Sequence, residues 1–513
     1  MSSPIRLHQI IEQRDPDSTA LIEYDGTSFT YRALDAAVSE AATQLQRSDV
    51  QACDRVIILC ENCVAAVAFT LAASRLDAWA VPVNARQTPF ELDRIIAHAT
   101  PRVVVVTSAA SPEADAHAKR LQANSYQGSY GTIALTTPHP SAPEPLRHST
   151  DHVAVMLYTT GTTGTPKGVM LTHGNMIFGA DASAKLRSMV PGDKSYATLP
   201  MTHVFGLASV VMAGLLAGIT VRLCNRFDTG ALYRAITDEG ITLLPAVPQM
   251  YAALMQFVEN HPDASLKGSK LRYVSSGGAP LDPAWKQAVE GFIGLPLQNG
   301  YGMTETTAGV CATSTENFAN DVSVGLPLPG VEVKIDMPDS DRTGEILTRG
   351  PHIMAGYYKD PTETAKVLST DGWMHTGDMG YLDDTGRLHV SGRKKELIIR
   401  SGFNVFPPEV EAALSDHPDV AIAAVIGRAE GGNEEVLAFV QPATGATIDM
   451  EALRAHAASR LSAYKCPSHI FVVEKLPATA TGKILKSKLS DMIHEEQGLR
   501  RPKRKNTSDD TAG

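Results

Sequence analysis

The chain has 513 residues, 43% of them hydrophobic and 20% charged, which is ordinary globular usage and excludes wholesale disorder. The 46 Lys and Arg are outnumbered by 56 Asp and Glu, giving a net charge of −10. That balance argues against a nucleic-acid binder, which needs clustered cations to release counterions.

Taken in chain order, the N-terminus shows no charged-then-apolar-then-small pattern, so no secretory leader is expected. Residues 55–59 read as a buried strand, and Cys60 and Cys63 follow as small apolar residues at a strand-to-helix junction. The C-x-x-C has no second ligand pair at zinc spacing. The other cysteines, at 53, 224, 311 and 466, are too scattered for a disulfide scaffold, and this usage implies a reducing, cytoplasmic setting. Helix-like 64–73 and strand-like 78–83 and 103–106 continue a βαβ alternation, the mark of a mostly parallel sheet. Residues 136–150, rich in Pro, Ser and His, read as a loop.

Strand-like runs recur at 153–157, 219–223, 241–245 and 271–274. Residues 204–221 carry no charge over 18 positions, yet Gly206, Gly214 and Gly218 divide them into a small-residue helix and a strand rather than a membrane span. After about residue 320, short strands at 331–335, 344–348 and 388–390 indicate a smaller β-rich part. A charged run at 392–396 marks a boundary. Beyond it come strands at 421–426 and 436–440 and helices at 408–415 and 450–461. The domains expected are 1–391, a hinge at 392–395, a small domain at 396–492, and a basic, polar tail at 493–513 that reads as a solvated end. No repeat of 20–50 residues is visible.

The densest chemical signal is Tyr158-Thr-Thr-Gly-Thr-Thr-Gly-Thr-Pro-Lys-Gly168, directly after an apolar run. Gly161 and Gly164 let the backbone approach an anion. Thr159, Thr160, Thr162 and Thr163 add hydroxyls, and Lys167 adds charge for a polyphosphate. It is not a Walker A element, because Pro166 precedes the lysine and Gly168 follows it. Downstream, Ser275-Ser-Gly-Gly-Ala-Pro-Leu281 offers a backbone wall for a flat ring. Gln298-Asn-Gly-Tyr-Gly-Met-Thr-Glu-Thr-Thr307 offers an aromatic, a hydroxyl and a carboxylate. Thr376-Gly377-Asp378 reads as a carboxylate on a tight turn, able to accept from two sugar hydroxyls.

In this order, from Phe29-Thr-Tyr-Arg-Ala-Leu34 to Pro477-Ala-Thr-Ala-Thr-Gly-Lys-Ile-Leu485, the motifs resemble those of the adenylate-forming superfamily. That superfamily contains acyl-CoA synthetases, nonribosomal peptide synthetase adenylation domains and beetle luciferases. The resemblance implies an α/β fold. A large N-terminal domain would hold mostly parallel sheets with helices plus a small β-barrel-like part, followed by a small mobile α+β C-terminal domain.

The resemblance also implies roles. The 159–168 loop would bind the β- and γ-phosphates of ATP, with Gly278, Ala279 and Gly300 beside the adenine, Tyr301 stacked on it and Thr304 on the α-phosphate. Glu305 would hold Mg²⁺. Asp378 with Arg393 would hold the ribose, and His203, in Pro200-Met-Thr-His-Val-Phe-Gly206, would sit beside the acyl carboxylate. Lys483 would bridge carboxylate and α-phosphate, lowering the barrier between two anions. Lys395 falls at the hinge, Gly402 would line a pantetheine tunnel, and Tyr464 would stack on the adenine of coenzyme A. Cys466 stands where some relatives have a basic residue.

The expected reaction is activation of a monocarboxylic acid to acyl-AMP with loss of pyrophosphate, then transfer to CoA. The neighbourhood of His203, Val204, Phe205, Met250, Gly277, Gly278, Gly300, Gly302, Thr307 and Ala308 is small or apolar, and no cation is evident for a second carboxylate. The spelling Gly402-Phe-Asn-Val-Phe-Pro407 resembles bacterial fatty acyl-CoA ligases, so a medium or long aliphatic acid leads. Aryl or hydroxycinnamate-type acids, or a carrier protein as acceptor, are the alternatives. An ADP-forming ATPase or kinase, a silent nucleotide-binding relative and a luciferase-like oxygenation are the competing readings. No nucleic acid partner or integral membrane span is expected, and the oligomeric state is not readable.

Overall fold

A computed structural model describes residues 6–478 except 148, 161–165, 279–280, 338–341, 401–402 and 431–432, and also 484–486, 488, 489 and 492. For 160, 403, 404, 430 and 433 it describes the backbone alone. The chain divides into two compact units: Met1–Thr376 with Gly380–Val390, and Gly377–Met379 with the chain from Ser391 onward.

The first unit is built on two large mixed sheets. In the eight-stranded sheet, Val153–Thr160, Trp79–Asn84, Arg55–Cys60 and Val103–Val106 lie side by side and parallel. Val103–Val106 is four valines, all buried, because β-branched side chains suit a strand covered on both faces. Arg55 is buried in this sheet at 1% exposure, its guanidinium donating to the carbonyls of Ala99, Thr100 and Ala142. Antiparallel strands close both edges. Pro166–Thr172 and Gly356–Tyr357 form one edge, and the hairpin Asn124–Gly128 with Gly131–Leu135, which the sequence pattern does not announce, forms the other.

The nine-stranded sheet has a parallel run of Thr19–Ile22, Thr220–Leu223, Lys194–Ala197, Leu243–Ala246, Tyr273–Gly277 and Leu297–Tyr301. Helix Val64–Arg75 has nearly every residue buried, and its alanines and valines share one core with residues of both sheets. Cys60 ends a strand and Cys63 caps this helix; both are buried, unpaired thiols whose pKa burial pushes up.

The uncharged stretch expected to be helix then strand is so, with one addition. Phe205–Met212 is π-helical, Ala213–Ala217 is α-helical, Gly218 ends it in a left-handed conformation, and Thr220–Leu223 is the strand. Among the described residues no helix is long and apolar enough to cross a membrane.

A four-stranded sheet follows from Glu332–Asp336, Gly344–Arg349, Met374–Leu382 and Leu388–Arg393. It corrects one expectation: Asp378 is not on a tight turn but inside the nine-residue strand Met374–Leu382. Gly377, at φ +72°, supplies a local kink that mimics a turn in sequence. Strand Leu388–Arg393 also runs through positions 392 and 393 of the expected hinge, and Lys394–Glu396 is a single 3₁₀ turn.

In the second unit, Val420–Glu430 and Asn433–Pro442 form a long antiparallel pair, with His469–Val472 parallel to the latter. Helices Pro407–Ser415 and Met450–Arg460 pack Val410, Leu414 and Leu453 against Val425 and Ala438. A short hairpin joins Ile398–Arg400 to Phe403–Val405.

Candidate active site

Strands Val153–Thr160 and Pro166–Thr172 are antiparallel partners, with Thr159 opposite Lys167 and Thr160 opposite Pro166. The glycine- and threonine-rich run is therefore enclosed by a hairpin, whereas a Walker A loop opens a helix, so the spelling difference has a structural counterpart. Gly161, Thr162, Thr163 and Gly164 lie outside the described residues, as does the side chain of Thr160. Lys167 is described. Its Nζ lies 2.6 Å from Glu363 Oε2 and 4.8 Å from the centre of the Tyr357 ring.

Tyr357 extends this contact. Its hydroxyl donates to Glu305 Oε1 at 2.8 Å, and burial together with the Glu305 charge pushes the phenol's pKa up, so the proton stays. Hydrogen bonds from Lys167 and Lys366 hold the Glu363 carboxyl down at about 2, so it remains an anion. Lys366–Glu363–Lys167–Tyr357–Glu305 is thus one continuous polar chain. Tyr357 and Glu363 were not singled out from sequence. The available signal was Asp360-Pro361, a capped helix start that puts Glu363 in the first turn.

Glu305 lies in the 3₁₀ turn Thr304–Thr306, just after strand Leu297–Tyr301. Its neighbour in the sheet, Tyr273–Gly277, is parallel, with Gly277 opposite Gly300 and Gly278 following. Gly278, Gly300, Tyr301, Thr304 and Glu305 thus gather around the carboxyl ends of two adjacent parallel strands, where open α/β sheets bind ligands. Ala279 lies outside the described residues. Gly302 is required here, since a Cβ would fall 2.1 Å from the Ala308 carbonyl oxygen. Glu305 is buried, and Tyr357 is the one hydrogen-bond partner of its carboxylate among the described residues. A buried carboxylate with acceptor capacity left fits a hard cation such as Mg²⁺, which takes one carboxylate plus phosphate oxygens and waters. The hydroxyl of Ser276, near the end of strand Tyr273–Gly277, is also buried without a partner among the described residues.

His203 is exposed and precedes the π-helix Phe205–Met212, while Phe205 Cε1 lies 3.1 Å from where a Cβ on Gly277 would stand. The segment leading to His203 is fixed by Asn62, another residue the sequence reading passed over. The Asn62 amide donates to the Ala197 and Leu199 carbonyls at 3.0 and 2.8 Å, and its Oδ1 accepts from the Met201 amide at 2.8 Å. The structure also places a cation against the π-helix: Arg187 is buried and donates to Ser209 Oγ at 2.8 Å and to the Ser209 carbonyl.

In the second unit, Arg393 Nε is 3.3 Å from Asp378 Oδ1, and Asp378 is buried. Lys395 is exposed and Tyr464 half-buried. Gly402 and Lys483 lie outside the described residues. The chain flanking Lys483 is tied back on itself, because Ala478 and Ile484 form an antiparallel bridge and the Leu485 amide donates to the Pro477 carbonyl at 2.7 Å. Lys486, three positions on, is not part of a solvated face. It pairs with Glu396 at 3.0 Å and Glu411 at 2.8 Å. Burial pulls its pKa down, but the two carboxylates overcome this and raise it.

One His/Asp group, Asp77, His152 and His173, has donor atoms within 4.8 Å of one another. It does not suit a metal. The Leu7 amide donates to His173 Nδ1, so the neutral ring carries its proton on Nε2. Burial, with Arg6 nearby, lowers that pKa to about 2 and keeps the ring neutral. His152 Nε2 donates to the Asp77 carbonyl while its Nδ1 accepts from the Arg147 amide. Each ring's lone pair is already taken.

Lys167 on its hairpin and Glu305 at the parallel strand ends are the described parts of the candidate site. Comparison with known proteins gives the family. The AMP-binding enzyme model matches residues 9–358, and the AMP-binding enzyme C-terminal domain model matches 409–483. The chain is 35% identical to a feruloyl-CoA synthase of Amycolatopsis sp, covering 92% of this chain and 96% of that one. It is 33% identical to 4-coumarate–CoA ligase 2 of Oryza sativa subsp. japonica, covering 92% and 89%. The crystal structure of ATP-bound MatB from Rhodopseudomonas palustris superposes with a TM-score of 0.84 at 28% identity, covering 96% and 99%. The chain belongs to the AMP-binding enzyme family and is an ATP-dependent acyl-CoA synthetase. Of the two acid classes expected, these relatives fit the aryl alternative better than the medium or long aliphatic one.

Proposed function

We propose that the protein is a CoA ligase for a hydroxycinnamate-type or related aryl acid. One observation carries this reading: the match to feruloyl- and 4-coumarate-CoA ligases along nine-tenths of the chain. In the first half-reaction the acid's carboxylate oxygen attacks the α-phosphorus of ATP. The bond to the β-phosphate oxygen breaks, and pyrophosphate leaves. In the second, the CoA thiolate attacks the acyl carbon and AMP departs with the electron pair of the C–O bond.

Within this scheme Thr159, Thr160, Gly161, Thr162, Thr163, Gly164 and Lys167 bind the polyphosphate. Gly278, Ala279, Gly300 and Tyr301 flank the adenine, and Asp378 with Arg393 binds the ribose. Thr304 and Lys483 meet the α-phosphate, and His203 sits at the carboxylate. Lys395 serves as the hinge residue between residues 1–391 and 396–492. Gly402 and Tyr464 serve CoA. Glu305 holds Mg²⁺, which when bound supplies charge neutralisation for the leaving pyrophosphate. A panel of acids assayed for CoA-dependent AMP release tests the reading. Hydroxycinnamates should exceed long-chain fatty acids in kcat/KM, and the reverse order would overturn it.

A further inference from the structure

The polar chain through Lys167 has a property that phosphate binding does not require: the lysine already has an anionic partner on the protein. Glu363 is well fixed for that part. Its backbone amide is held by Asp360 Oδ1 at 2.9 Å, and its second carboxylate oxygen is taken by Lys366. Lys167 Nζ meets the first oxygen at 2.6 Å while lying over the Tyr357 ring. The acid is therefore the stationary member of the pair and the long lysine side chain the movable one.

We propose that Glu363 is a positioning residue that competes with pyrophosphate for Lys167 and so speeds release of the leaving group. This rests on the reading of Lys167 as a polyphosphate ligand. An incoming triphosphate carries several negative charges and draws the ammonium from a single carboxylate. Once the anhydride bond is cut, pyrophosphate departs without stranding a half-buried cation, because Glu363 takes the ammonium back. No bond is made or broken in this exchange, and the charges balance at each stage. Lys366 keeps the carboxylate from being left alone while Lys167 is on the phosphate.

The test is product inhibition in the full-length enzyme. Glu363→Gln keeps the shape and removes the competing charge, so pyrophosphate should inhibit about threefold to fivefold more tightly, the range expected for a partly exposed ion pair. Glu363→Asp should fall between Gln and wild type. Adding Lys167→Ala to Glu363→Gln should abolish the gain. A residue needed only to fold this corner would loosen the site instead, raising the KM for ATP and the inhibition constant for pyrophosphate together. That result, or unchanged inhibition in Glu363→Gln, overturns the proposal. If Lys167→Ala alone leaves both ATP and pyrophosphate binding unaltered, the assignment of Lys167 falls, and the role of Glu363 falls with it.

Discussion

In the first unit Lys167, Tyr357 and Glu305 stand on two paired strands and a 3₁₀ turn, tied to one another through side chains. In the second unit Lys483 belongs to a stretch flanked by one bridge, and the adjacent Lys486 is held by two carboxylates brought from residues 396 and 411. In the first unit the sheet carries the described groups, and in the second ion pairing holds Lys486. The difference teaches where substitutions should register: as altered affinity in the first unit, as lost rate or local stability in the second.

The widest separation is expected from Lys483→Ala. Removing one preorganised cation should slow acyl-AMP formation on the order of 10²–10³-fold, while thioester formation from supplied acyl-AMP stays near wild type. Equal loss in both half-reactions, followed by separate single-turnover assays, would erase the division of labour. Next is Lys486→Met, which leaves Glu396 and Glu411 close together without their shared cation. Complete burial would make that cost about 3–5 kcal/mol, and the partial exposure of Lys486 reduces it to about 2 kcal/mol. Hydrogen exchange should detect it in Val420–Glu430 and Asn433–Pro442 but not in the strands of the first unit.

The smallest effect belongs to a half-buried acid of the first unit. Burial raises the Glu23 carboxyl from 4.5 to about 7 against the opposing bonds from the Val64 and Tyr24 amides. The native form therefore keeps a proton that the unfolded chain has released, and stability falls as pH climbs from about 4.5 to 7. Glu23→Gln should stabilise by about 1–2 kcal/mol at pH 8 and by nothing at pH 4, read from urea unfolding across pH. A pH-independent difference would place the effect in packing.

The glycine- and threonine-rich run is legible because it is local: its composition and lysine lie within eleven residues, directly after an apolar strand. Glu363 is not, because its partner is 196 positions away and nothing in Pro-Thr-Glu announces an ion pair. Asn62 is hidden for the same reason, reaching 139 residues to the Met201 amide. Thr376-Gly377-Asp378 misled because a positive-φ glycine marks a turn far more often than a kink inside a strand. The acid class is not legible from Gly402-Phe-Asn-Val-Phe-Pro407, because that spelling belongs to the small unit while Phe205 and Gly277 belong to the large one.

The π-helical turn has a consequence for comparing this enzyme with its kin. The Ala213 amide reaches back five residues to the Ala208 carbonyl, so Phe205–Met212 accommodates more chain per turn than an α-helix. Wherever a related protein runs an ordinary helix through this segment, column-by-column transfer of residue positions will slip beyond Phe205. Specificity codes borrowed from such a relative would then assign the facing role to the wrong neighbour.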